Sequence, residues 1–185
     1  MDILAQVLDR VRLGGTLLFH FELGHPWNLA LPVRPYALFH YLSRGSAILA
    51  LDQQRELHMT AGDFVVITRG DPHLIYSDRR TEPLPIVDLD RLPGRLSVVR
   101  HGGGAQPLST MICGNFTVER PSRGSVLELL PPLLLLKPAE DGGWLETILQ
   151  RMVSESALAR PGQDVALSRL TEVLFVEVLR SWIKS

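Results

Sequence analysis

The segment Gly62-Asp-Phe-Val-Val-Ile-Thr-Arg-Gly-Asp-Pro-His73 places an apolar strand between two turns, and the rest of the chain can be arranged around it. Gly62-Asp63 favours a turn, Phe64 to Ile67 has the β-branched and aromatic character of a strand, and Gly70-Asp71-Pro72 breaks the chain again. His73 then opens another short strand. A histidine held by a rigid Asp-Pro turn can point at one place in space, as a pocket requires. The alternative is a solvated turn histidine beside a hairpin.

Short strands on both sides of this segment predict a β domain. From Thr16 the apolar period becomes two, with Leu17, Phe19, Phe21 and Leu23 on one face. Further strands are predicted at 28–32, 36–43, 46–51, 56–59, 96–100 and 110–118. Their close spacing, with Gly, Pro and Asp between them, is typical of a sandwich or small barrel.

The two ends of the chain read as helical. The apolar periodicity after Asp2 predicts a helix that ends at Gly14-Gly15, and another helix is expected after Gly143. A third, about 164–183, is apolar on more than one side, so we expect it to contact a second subunit. The predicted divisions are an N-terminal helix (1–15), a β-barrel (16–120) and a helical segment for dimerisation (121–185).

Composition narrows the class of protein. The chain has 185 residues, of which 45% are hydrophobic and 21% charged, with a net charge of −1, as in one globular domain and unlike a nucleic-acid-coating chain. The lone cysteine, Cys113, excludes an intramolecular disulfide and favours a reducing cytoplasm. The N-terminus lacks the pattern of a signal peptide, and 129–136 is too short to span a bilayer, so we expect no membrane association.

Residues that can bind a ligand or a metal lie mostly in the β region. The candidates for ligand binding are His20, Glu22, Trp27, His40, His73 and Asn115. A barrel that turned His40, His73 and Cys113 inward would gather ligands for zinc or a similar ion. Each candidate has a simpler alternative. His40 and His73 can be hydrogen-bonded histidines without a ligand, and Cys113 can be a small buried thiol. His20 and Glu22 can face solvent as a pair, and Trp27 can pack in the core.

Catalytic motifs are not found. His101-Gly-Gly-Gly104 lacks the spacing and lysine of a phosphate-binding loop, and no Gly-x-Ser-x-Gly, His-Glu-x-x-His or Cys-x-x-Cys motif occurs. We therefore assign no catalytic residue.

A family resemblance rests on several segments taken in order. The chain resembles the cupin-type N-terminal ligand-binding domain of AraC/XylS-type bacterial transcription regulators over nearly its whole length. The segments are Asp2-Ile-Leu, Glu22-Leu-Gly-His-Pro-Trp27, Phe39-His-Tyr-Leu-Ser-Arg-Gly45, 61–73, 101–104, Ile112-Cys-Gly-Asn-Phe116 and Leu174-Phe-Val-Glu-Val-Leu-Arg180. The resemblance implies a double-stranded β-helix (jelly-roll) barrel that senses a small molecule, followed by helices that form a homodimer.

Two departures from the family pattern shape the expectations. Relatives normally continue into a helix-turn-helix domain, whereas this chain stops at Ser185, so it is either part of a longer protein or a free-standing sensor. We expect DNA contact only through a domain absent from it. Catalytic cupins carry a His-x-His pair followed by glutamate, and here that motif is reduced to His40, while His73 alone matches the second motif.

The main hypothesis is a non-enzymatic domain that binds a small organic effector and shifts a dimer interface. The rival hypothesis is a metal-dependent oxygenase or isomerase that uses His40 and His73 with Cys113 or Glu22 as ligands. A third possibility is a packed scaffold without a cavity.

Overall fold

The computed structural model describes residues 12–51, 55–86, 97–104, 108–119, 130–137, 143–157 and 160–184. These residues form a mainly β structure followed by two helices. The strands are β1 (Arg12–Gly24), β2 (Asn28–Leu31), β3 (Ala37–Arg44), β4 (Ser46–Ala50), β5 (Glu56–Thr60), β6 (Phe64–Ile67), β7 (His73–Tyr76), β8 (Leu84–Pro85), β9 (Ser97–Gly102), β10 (Ser109–Glu119) and β11 (Leu133–Leu136). The helices are α1 (Trp144–Ala157) and α2 (Gln163–Lys184).

The described strands form two sheets. The large sheet has the order β11-β6-β3-β10-β1-β9, and the small sheet has the order β5-β4-β7-β2-β8. The prediction of many short strands is confirmed. Within the described ranges, however, no ladder of backbone hydrogen bonds joins one sheet to the other, so the expected closed barrel is seen here as two separate sheets.

Two hydrophobic clusters divide the molecule into three layers. One cluster lies between the sheets and includes Phe21, Trp27 and Leu42. The other lies between the large sheet and the helices, where Phe116 of β10 contacts Phe175 of α2 with ring centroids 5.1 Å apart. Because side chains alternate along a strand, neighbouring residues of β3 and β10 belong to different layers.

The segment 62–73 folds as predicted. Gly62 has φ of +93° at the turn, and all four residues of β6 are buried. Gly70 has φ of +64°, and a Cβ there would lie 2.2 Å from the carbonyl oxygen of Arg34, so the second turn needs glycine for both shape and space. This turn delivers His73 to the first position of β7.

The termini of the β region differ from the predicted boundaries. Of the predicted N-terminal helix, residues 1–11 lie outside the described ranges, whereas 12–15 already belong to β1. At the other end, β11 lies within the segment 121–185 and pairs with β6. Lys137 follows β11 and binds the fully buried carboxylate of Asp63, with Nζ 2.7 Å from Oδ2. This ion pair attaches β11 to the turn before β6.

The two predicted C-terminal helices are confirmed as α1 and α2. Neither is long and apolar enough to cross a membrane, and the same holds for every helix in the described ranges.

Candidate functional site

The site is built on two buried strands of the large sheet. His40 of β3 lies directly opposite Cys113 of β10 in the antiparallel register, so both side chains point to the same face. Leu38 and Leu42, which flank His40 at alternating positions, belong to the cluster between the sheets. His40 is therefore held in the interior and is fully buried.

The small sheet supplies the third residue. His73 begins β7, pairs with Leu31 of β2 and is 4% exposed. Its Nε2 lies 2.8 Å from Nε2 of His40, and His40 Nδ1 lies 2.9 Å from the Cys113 sulfur. Residues far apart in the sequence thus form one polar line through an apolar interior, and this line joins the two sheets.

The hydrogen bonds of this line have one direction. The carbonyl oxygen of Asp71 can only accept, so His73 donates to it from Nδ1, over 2.8 Å. In a neutral His73 the Nε2 atom then accepts from the Nε2–H of His40. His40 Nδ1 is left to accept from the Cys113 thiol. Each group has a partner in the uncharged state, as buried polar groups require. We call these four groups the Cys113–Asp71 chain.

Burial favours the neutral forms along this chain. Desolvation holds the pKa of His40 well below its usual value, and the neighbouring His73 lowers it further. Desolvation also lowers the pKa of His73 to about 4, although the Asp71 carbonyl and carboxylate both act to raise it. Burial raises the pKa of the Cys113 thiol well above its ordinary value. Near neutral pH the chain therefore carries no charge.

The predicted metal ligands meet, but not around a common point. His40 lies between the other two, with Cys113 at Nδ1 and His73 at Nε2 on the opposite side of the ring. A metal ion binds one nitrogen of an imidazole, so in this arrangement a single ion cannot take all three residues. Across the described ranges, no cluster of three or more His, Cys, Asp or Glu side chains has the geometry of a metal site. In this arrangement the three residues do not form a common centre, and a metal bound by fewer of them stays a prediction.

A cavity of about 490 Å³ lies beside His73, where β2, β4 and β7 of the small sheet meet. Besides His73 and Arg79, its lining is entirely apolar: Ala30, Leu31, Pro32, Ala50, Leu51, Pro72, Leu74 and Pro85. The volume is within the usual range for small-molecule sites. His73 thus contacts both the cavity and, through His40, the large sheet.

Arg79 is the charged residue of the cavity, and sequence reasoning missed it. Its Nη1 lies 2.8 Å from Glu56 Oε1, and about half of its side chain is exposed. The same carboxylate oxygen accepts a hydrogen bond from Tyr76, over 2.6 Å. Hydrogen bonding to Glu56 and burial of the hydroxyl raise the pKa of Tyr76, with burial the larger cause. Arg79 stands in a polar segment, and nothing in its spacing distinguishes it from the other arginines.

The remaining predicted ligand-binding residues lie elsewhere. His20 pairs with Ile112, which faces the helices, so His20 and Glu22 are on the opposite face of the large sheet from His40. Glu22 forms an ion pair with Arg100, over 2.6 Å. Trp27 is fully buried between the sheets. Asn115 is buried on β10, two residues from Cys113. Only His73 among the six lines the cavity.

Comparison with known proteins gives a consistent assignment. A family model described as "Cupin" matches residues 2–184. The chain is 20% identical over 191 residues to the HTH-type transcriptional regulator AlkR of Acinetobacter baylyi. It is 23% identical over 188 residues to the RCS-specific HTH-type transcriptional activator RclR of Escherichia coli. Both alignments include 99% of this chain, which spans 61% and 57% of the length of these relatives.

Among solved structures, an apo ToxT variant from Vibrio cholerae aligns with a TM-score of 0.49 and 10% identity. The alignment covers 94% of this chain and 55% of that one. A likeness at this level supports no functional conclusion.

Proposed function

From the premise that the chain belongs to the cupin family, matched over residues 2–184, we propose that it is the effector-sensing domain of an AraC-type transcription regulator. A small organic effector occupies the cavity beside His73. The observation that carries the proposal is the Cys113–Asp71 chain, which begins in the cavity wall and ends in the large sheet beneath the helices. Similarity to two transcription regulators supports the same function.

A packed route connects the cavity with α2. His40 and Phe39 are neighbours on β3, and Phe39 contacts Phe116 of β10 with ring centroids 4.9 Å apart. Phe116 in turn contacts Phe175 of α2 at 5.1 Å. An effector that binds one arrangement of these groups better than another shifts the population toward it. The differential contact is with His73, and the readout is the position of α2.

The readout surface is the outer side of α2. Val165 and Ile183 are more than 60% exposed, and their separation of 18 residues, five turns, puts them at the same angle around the helix. Val173 is also exposed, at 48%. The Arg169–Glu172 ion pair lies on the same side of the helix, between Val165 and Ile183. We assign this side of α2, with an apolar residue at each end, to a homodimer contact. DNA binding belongs to a further domain, which places the regulator in the cytoplasm.

The experiment measures ligand binding and association together. Thermal unfolding of the chain is recorded with a panel of small apolar compounds, for the wild type, Ala30→Phe and Val33→Phe. Ala30 lines the cavity, whereas Val33 is exposed beside it and does not. We expect at least one compound to raise the melting temperature of the wild type and of Val33→Phe, but not of Ala30→Phe.

Sedimentation velocity tests the dimer. Val165→Glu/Ile183→Glu is expected to be monomeric at micromolar concentration, whereas Val98→Glu, at an exposed position of β9, stays dimeric. A wild type that is monomeric at all concentrations and that no compound stabilises would contradict the proposal.

A further inference from the structure

The two polar side chains of the cavity, His73 and Arg79, already form hydrogen bonds within the protein. Resting on the proposed function of this cavity as the effector site, we infer that its ligand is an uncharged aliphatic molecule with one hydrogen-bond acceptor. The aliphatic part lies against the small sheet, and the acceptor lies at the mouth beside Arg79.

The walls indicate an aliphatic ligand. Eight of the ten lining residues are Ala, Leu or Pro, and His73 is the one ring with π electrons among them. The ring of His73 is fixed at both nitrogens, by Asp71 and by His40, and stands edge-on to His40. Stacking of an aromatic ligand has no large planar partner here. Burial of methylene groups against Leu74, Ala30 and Ala50 is the main source of affinity.

The charges indicate an uncharged ligand. Arg79 is balanced by Glu56 at 2.8 Å, so the mouth of the cavity has no net charge from this pair. A ligand carboxylate that approached Arg79 would also approach Glu56, whose Oε1 is fixed by the Tyr76 hydroxyl. The carboxylates of the ligand and of Glu56 would repel each other, and the ligand carboxylate would in addition lose its hydration. A ligand ammonium group that approached Glu56 would be repelled by the positive charge of Arg79.

The remaining donors of Arg79 set the single polar contact. A guanidinium has five N–H groups, of which the Nη1 contact with Glu56 uses one. Because about half of the Arg79 side chain is exposed, we place its remaining N–H groups at the mouth of the cavity rather than at its base. His73 offers no further ring nitrogen, because one donates to Asp71 and the other accepts from His40. A hydroxyl or carbonyl oxygen at one end of an aliphatic chain satisfies this arrangement.

Calorimetry at about pH 7.5 with 1-hexanol, 1-octanol, sodium octanoate and octylammonium chloride tests the inference on the full chain. We expect 1-octanol to bind at least about tenfold more tightly than octanoate or octylammonium, a difference of about 1.4 kcal/mol. Each methylene added between 1-hexanol and 1-octanol should tighten binding about fourfold. Ala30→Phe should remove binding of the alcohols, whereas Val33→Phe should retain it.

The same calorimetric measurements on the variant Glu56→Gln test the role of charge. This substitution removes the negative charge beside Arg79 at a partly exposed position and keeps an amide oxygen that can accept the hydrogen bonds of Tyr76 and Arg79. We expect octanoate to gain about tenfold or more in affinity, and 1-octanol to change by less than about twofold. Octanoate binding the wild type as tightly as 1-octanol, or unchanged by Glu56→Gln, would overturn the inference and leave the effector site in place. Failure of all four compounds to bind would overturn both the inference and the effector site.

Discussion

Acidification below about pH 6.5 should destabilise this protein, because His40 and His73 are buried in neutral form. The pKa of each is lower in the folded chain than in the unfolded chain, where a histidine has its ordinary value of 6.5. Below pH 6.5 the two histidines bind protons in the unfolded state, whereas they stay neutral in the folded state. Stability is therefore complete above pH 6.5 and is lost as the pH falls from there toward the folded pKa.

The size of the effect follows from the two pKa values of His73. With 6.5 unfolded and about 4 folded, linkage gives a loss of about 2 kcal/mol between about pH 7.5 and about pH 5. His40 is fully buried, and desolvation holds its pKa well below the ordinary value, so its protonation adds to the loss in the same direction. The loss from His73 alone, about 2 kcal/mol, is already a substantial part of the stability of an ordinary domain.

Urea unfolding at constant ionic strength, in buffer with a chelator, measures this loss. The variant His58→Gln, which removes an exposed histidine of β5, should behave as the wild type. The variant His40→Leu/His73→Leu should lose less than about 1 kcal/mol over the same range, because its two buried positions no longer titrate. A wild type whose free energy of unfolding falls by less than about 1 kcal/mol would refute the neutral, hydrogen-bonded pair.

Three further outcomes are expected. Nitrogen-15 NMR at neutral pH should show His73 protonated at Nδ1 and His40 at Nε2; a doubly protonated ring at either position would contradict the Cys113–Asp71 chain. Lys137→Met leaves a buried carboxylate without its cation and should cost about 1–3 kcal/mol in urea unfolding, against almost nothing for Lys184→Met at the exposed end of α2. Gly15→Ala should lower the melting temperature, at a cost of about 1–3 kcal/mol, because its Cβ would lie 2.3 Å from the backbone carbonyl oxygen of Asn115 on β10 and 2.4 Å from the methyl group of Thr171 on α2; an unchanged value would contradict this close packing of β1 against both elements.

Periodicity predicted the strands because most of them are short, bounded by Gly, Pro or Asp, and apolar on at least one face. It assigned Gly14-Gly15 to the end of a helix, whereas both residues lie in β1. The reason is long-range: β1 passes beneath α2, and a Cβ at Gly15 would meet Thr171 of that helix. A glycine required by a distant neighbour looks the same in sequence as one required by a turn.

The candidate site was predicted in part. Alternation along the strands correctly gave His40 and Cys113 each a definable face, and the register then set them opposite each other. Sequence did not show that His40 would lie between its two partners, since that depends on how the sheets face each other. Arg79 was not found because its role comes from Glu56, on a strand of the small sheet 23 residues earlier in the chain.

The three-layer arrangement limits which changes of chain length β3 can accept. His40 faces the small sheet, and Phe39 and Tyr41 face the helices. Insertion or deletion of one residue would turn the histidine toward α1 and α2 and turn a phenylalanine or tyrosine toward His73. An edge strand with one solvated face can absorb such a slip, but β3 has no solvated face between residues 37 and 42. Length variation among relatives of this chain should therefore be confined to the connections between strands, and β3 should keep its register even where most of its side chains differ.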